Sequence, residues 1–135
     1  MRTIADAVST SFARFSHNIG IAKAAAQQVM ILKALSAVAL PRLLADGLAA
    51  TFDFVYVDGS HFAHDVLADA CMSWQLLKER GIMVFDEYAW ALDCPVQFRP
   101  KVSIDAFTSI FNQQIETVSV GAQYVVRKVQ ERKLH

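Results

Sequence analysis

The sequence predicts an α/β domain whose mostly parallel sheet ends in an antiparallel hairpin. Three observations carry this. Short apolar runs, such as Phe52–Val57 and residues 82–85, are rich in β-branched and aromatic residues and too short for helices. Longer segments between them place apolar residues at helical steps, and strands alternating with helices build parallel sheets. The last two apolar runs are separated only by Gly121 and Ala122. That connection is too short for a parallel crossover, so the pair must be antiparallel. The 135 residues are expected to form one domain, residues 1–135.

Residues 4–26 open the chain as a helix, with Ile4, Ala7, Val8, Phe12 and Phe15 at steps of three and four. Asn18 to Gly20 is expected to interrupt it. Residues 29–33 read as a buried strand. Ser36 reads as an N-cap, its hydroxyl placed to accept from a first-turn N–H, for a helix over residues 37–45 that stops at Gly47. Phe52–Val57 is the best strand, and Asp58-Gly59-Ser60-His61 turns the chain at its end. Residues 65–78 return to helical spacing, closed by Lys78, Arg80 and Gly81. A buried strand over 82–85 ends in Asp86 and Glu87. A loop follows over 88–100, then a helix over 102–111. Strands over 115–120 and 123–129 complete the chain, and the charged tail 130–135 is expected to fray.

Composition narrows the function. The chain is 54% hydrophobic and 19% charged, which excludes a disordered polymer. Thirteen basic residues balance thirteen acidic ones, so no bulk charge draws it to nucleic acid or an acidic membrane surface. No apolar run reaches the ~20 residues of a membrane span, and no secretory leader is visible. Cys71 and Cys94 are too few and too far apart for a disulfide frame or zinc site. Cys71 reads as a buried packing residue. The expected location is the cytoplasm.

Ligands of open parallel sheets bind beyond the C-terminal ends of the strands. Two such ends carry acids here, Asp58 at one and Asp86 with Glu87 at the other. If the strands are neighbours, three carboxylates meet, and a hard divalent cation such as Mg²⁺ would relieve their repulsion. Spacing also allows the plainer reading of a turn cap and solvated acids. His61 is placed to take a proton from a substrate. Tyr88 and Trp90 stand just past the acids, where they would either stack on a planar ligand or cover the sheet edge as core. The five glycines form neither a G-x-G-x-x-G nor a P-loop pattern, and no serine lies in a G-x-S-x-G elbow.

Together, the segment from Phe52 to His61, the helix end Leu76-Leu77-Lys78 and the stretch Gly81 to Tyr88 resemble the C-terminal part of class I S-adenosylmethionine-dependent methyltransferases. The small-molecule O-methyltransferase-like group is the nearest. Phe15, Asn18, Ser36, Leu40, Pro41, Leu43, Ala106-Phe107 and the aliphatic end from Tyr124 also fit that group. The resemblance implies a Rossmann-like fold and S-adenosylmethionine as cofactor. It makes Asp58, Asp86 and Glu87 the ligands of a divalent cation and His61 the base that deprotonates a small-molecule hydroxyl. Ser36, near the adenine, and Asp58 would face the cofactor. Two details depart from the pattern: Glu79-Arg80 precedes Gly81 where Pro-Gly is usual, and Glu87 replaces Asp or Asn. The family's Gly-rich cofactor loop and ribose-binding acid have no counterpart. The chain therefore reads as a methyltransferase domain truncated at its N-terminus, either still active or serving as an inactive assembly piece. The sheet edge this would leave open points to a homo-oligomer.

Overall fold

The computed structural model describes residues 4–130, with side chains from residue 11 onward. It divides into two compact units, Met1–Lys33 and Ala34–His135. In the first, helix α1 spans Ile4–Ala22 and runs through Asn18 and Gly20 without a break. One glycine costs a helix only about 1 kcal/mol, too little to end it. The expected extension to residue 26 does not form. The chain instead turns after Lys23, where the Gln27 side chain accepts from the Ala24 N–H at 2.7 Å. Residues 29–33 are not the buried strand expected. They have no regular structure, and Val29 to Leu32 are all exposed, Met30 by 78%. A β-branched run becomes a strand only when another strand satisfies its backbone groups. The side chains of Ile4, Ala7 and Val8, and the tail beyond Gln130, lie outside the described residues.

The second unit holds the sheet. Its elements are α2 (Ser36–Ala45), β1 (Phe52–Val57), α3 (Ala63–Leu76), β2 (Leu77–Phe85), α4 (Pro100–Ile110), β3 (Ile115–Val120) and β4 (Tyr124–Lys128). The strand order is β1-β2-β4-β3. β1 and β2 are parallel, joined through α3, while β4 runs antiparallel to both β2 and β3. The mixed α/β fold and terminal hairpin are thus as the sequence predicts.

The strand β2 begins five residues earlier than its apolar run. Leu77 pairs with Phe52 and Ile82 with Phe54, so residues 78–81 loop out between the two pairings. Arg80 sits there in the left-handed region at φ 68°. Gly81 is required at the return, because a Cβ would lie 2.6 Å from Leu77 Cδ1 and 2.9 Å from the Lys78 carbonyl oxygen. The basic-then-glycine signal is therefore a bulge, not a helix end.

Val57, Met83, Phe85 and Val126 line one face of the sheet, packed against Val66, Ala70 and Trp74 of α3 and Ile104 and Phe107 of α4. Full burial of each such side chain contributes about 1.5–3 kcal/mol. Cys71 packs against this core but is only partly buried. Lys128 of β4 reaches under Trp74 and donates to the carbonyls of Trp74 (2.6 Å) and Leu77 (2.8 Å), satisfying the end of α3. Burial holds its ammonium below the ordinary lysine range. No helix among the described residues is long and apolar enough to cross a membrane.

Candidate active site at the ends of two parallel strands

The last paired residues of β1 and β2 are Val57 and Phe85. The Asp86 N–H then donates to the Val57 carbonyl at 3.1 Å, so Asp58 and Asp86 leave the sheet at the same level. Glu87 follows with φ 56°, a left-handed conformation that costs a non-glycine residue about 1–3 kcal/mol. One carboxylate oxygen each from Asp58, Asp86 and Glu87 lies within 4.8 Å of the others. The sequence places these three acids at neighbouring strand ends, and the fold brings them together.

His61 joins them. Its Nδ1 lies 2.9 Å from Glu87 Oε2. A neutral imidazole that donates from Nδ1 keeps the Nε2 lone pair, and this is the tautomer a general base requires. The edge of Trp90 meets the His61 ring at 4.6 Å between centroids, nearly perpendicular. Tyr88 turns elsewhere. Its hydroxyl donates to Asp105 Oδ1 at 2.7 Å, its ring meets Tyr124 edge-on, and it packs on the core. Burial raises its phenol above the ordinary tyrosine range. Of the two aromatic candidates, Trp90 stands beside the acids and Tyr88 covers the sheet.

Ser36 is not the N-cap. It is the first residue of α2, and Leu35 precedes it without a side-chain cap bond. Its hydroxyl lies beside the carboxylate of Asp69 on α3, a residue only 9% exposed. Burial raises that carboxyl above its ordinary range, and Ser36 opposes the rise. Gly59 lies against this pair, where a Cβ would meet Asp69 Oδ2 at 3.3 Å. Ser36 and Asp58 share a cavity of about 290 Å³ that includes Leu40, Val55, Val57 and Asp69 in its lining.

Three residues here escaped the sequence reading: Tyr56, Asp69 and Gln123. Gln123 donates to Tyr56 Oη at 2.8 Å and to Asp86 Oδ1 at 3.0 Å. These bonds, Gln123 first, hold the Asp86 carboxyl below its ordinary range. Asp69 carries a legible signal, an acid on the same helix face as Val66, Ala70 and Ser73. Gln123 carries none until the register Phe85↔Tyr124 sets it across from Asp86.

Residues 4–88 match the family of methyltransferase domains, more than half of the chain. The chain belongs to that family. S-adenosylmethionine is the methyl donor that membership implies. A crystal structure of a protein from Corynebacterium glutamicum superposes with a TM-score of 0.62 at 19% identity, which shows likeness of fold. The match covers 92% of this chain and 58% of that one. The chain thus spans little more than half the length of that protein. No curated protein matches the chain significantly.

The site's residues fit a hard cation by their chemistry. The donors are three carboxylates, and a niche of about 10 Å³ between Asp58, His61, Asp86 and Glu87 has room for one water-sized occupant. The cavity beside Ser36 fits the nucleoside part of a cofactor in kind, with an aliphatic wall, the hydroxyl-bearing Ser36, Tyr56 and Ser73, and two acids. Its volume is at the lower end of the roughly 300–1,000 Å³ of ligand pockets.

Proposed function

We propose that this methyltransferase domain transfers a methyl group from S-adenosylmethionine to a hydroxyl of a small molecule, with a divalent cation at Asp58, Asp86 and Glu87. The observation that carries the reading is the convergence of these three carboxylates beside His61. The cation would hold the substrate oxygen and make its hydroxyl more acidic. Glu87 orients His61, and His61 Nε2 takes the hydroxyl proton. Trp90, 46% exposed, offers a ring surface to a planar substrate. Ser36 and Asp69 stand where a nucleoside's polar groups would be met, and the donor supplies an electrophilic methyl group.

The test is methyl transfer from labelled S-adenosylmethionine, at millimolar concentration, to a panel of hydroxylated small molecules. Transfer should rise with Mg²⁺ or Mn²⁺, stop with a chelator and fall at least a hundredfold in His61→Ala, within the usual range for a general base. Transfer indifferent to chelation would refute the cation. Complete absence of transfer across the panel would favour the inactive assembly role.

A further inference from the structure

We infer that Gln123, with Tyr56, is a positioning residue that fixes the Asp86 carboxylate as a cation ligand. The inference rests on the reading of the three acids as a cation site. Asp86 follows β2, the central partner of β1 and β4. Tyr56 of β1 pairs with Val84 on one side, and Gln123 immediately precedes Tyr124 of β4, which pairs with Phe85 on the other. Gln123 stands between them, bonded to both Tyr56 and Asp86.

The donors can be assigned. The Gln123 amide nitrogen carries two hydrogens, one for Tyr56 Oη at 2.8 Å and one for Asp86 Oδ1 at 3.0 Å. Tyr56 thereby holds the Gln123 amide from the side of β1, and Gln123 in turn holds Asp86. A carboxylate restrained in this way has its remaining lone pairs aimed in a fixed direction. Outer partners of this kind commonly set metal affinity by about 10–100-fold. Both bonds are exposed to solvent, where a hydrogen bond adds little to folding. The expected signature is therefore a loss of ion affinity with little loss of stability.

The experiment uses the full chain and Mn²⁺ alone, with free ion counted by electron paramagnetic resonance and melting followed without metal. Gln123→Leu keeps the bulk and removes the donors, and should weaken Mn²⁺ binding about tenfold with a nearly unchanged melting temperature. Gln123→His returns an N–H at similar reach and should recover most of the affinity. Mn²⁺ binding to Gln123→Leu at wild-type strength overturns the inference. So does a loss that Gln123→His leaves in place, or one matched by general destabilisation. A wild-type chain that binds no Mn²⁺ refutes the cation reading itself, and the inference falls with it. That outcome is seen before any variant is made.

Discussion

β1 and β2 are parallel neighbours, each followed directly by an aspartate, yet they are held in opposite ways. β2 is flanked on both sides, and Leu77, Met83 and Phe85 in it are wholly buried. The residues after it are tied down: Asp86 by Gln123, Glu87 by His61, Tyr88 by Asp105. β1 is an edge strand with Phe54 and Tyr56 exposed by 55% and 45%. Asp58 after it is exposed, and its carboxylate has no hydrogen-bond partner among the described residues. One half of the site is built by the protein, and the other is free to adapt to what binds.

The largest expected effect concerns the side of β1. Among the described residues, the cavity there would meet a cofactor with Ser36, Asp58, Asp69 and an aliphatic wall, and no glycine-rich loop faces it. Each good polar contact contributes about 0.5–1.5 kcal/mol, and about 1.4 kcal/mol is tenfold in affinity. Lacking several, this chain should bind S-adenosylmethionine near the millimolar range in a calorimetric titration. Low-micromolar binding would show that the β1 side is as fully built as the β2 side.

Next in size are the ligands themselves. Asp58→Asn and Asp86→Asn should each weaken Mn²⁺ binding by more than about tenfold, since each removes a charge from a hard-cation site. Asp58→Asn should leave the metal-free melting temperature alone, and Asp86→Asn should lower it only slightly, because the solvent-exposed bond from Gln123 adds little to folding. Equal effects on melting would erase the comparison.

A smaller effect is expected at the edge. Phe54 and Tyr56 stack at 6.5 Å on an unpaired strand, and such an edge invites another chain. The protein should self-associate in sedimentation at concentrations well above micromolar, and Phe54→Lys should shift it toward monomer. A wild-type chain that sediments only as a monomer would count against the edge.

The same contrast explains what the sequence made legible. Apolar runs that find a strand to pair with announce themselves, and Phe52–Val57, residues 82–85 and the terminal hairpin are readable from composition and spacing. The run at 29–33 carries the same composition without a sheet partner, and composition alone cannot supply one. The three acids and His61 were readable because strand-end acids need only a correct parallel register to converge. Gln123 was not, because its role depends on an antiparallel register 37 residues away in the chain. Ser36 reads as a local cap, whereas it stands beside Asp69, 33 positions on, and no local pattern encodes that.

The last prediction sets the two strand ends against each other by their response to acid. Hydrogen bonds from Gln123 hold Asp86 below the ordinary carboxylate range, so the folded state binds its proton less readily than the unfolded chain. The stability this lends is present above the ordinary range and is lost as pH falls below that range through the lowered folded value. Asp69, beneath the β1 turn, is the reverse. Burial raises it, so the folded state holds its proton more readily, and stability falls as pH climbs from about 4. Asparagine cannot ionise at either place. Asp86→Asn should therefore lose ground to wild type as pH rises from about 2 to 5, and Asp69→Asn should gain ground as pH rises from about 4 to 7. The Asp69 effect should be the smaller of the two, because Ser36 beside it offsets part of the cost of burial. Melting curves of the three proteins at four pH values suffice. Opposite slopes mean that the end of β2 is fixed by bonds to its own acid, whereas the turn after β1 rests on a buried acid that the fold holds at a cost. Parallel slopes would mean that Asp69 is solvated and that Gly59 is not packed against a buried carboxylate.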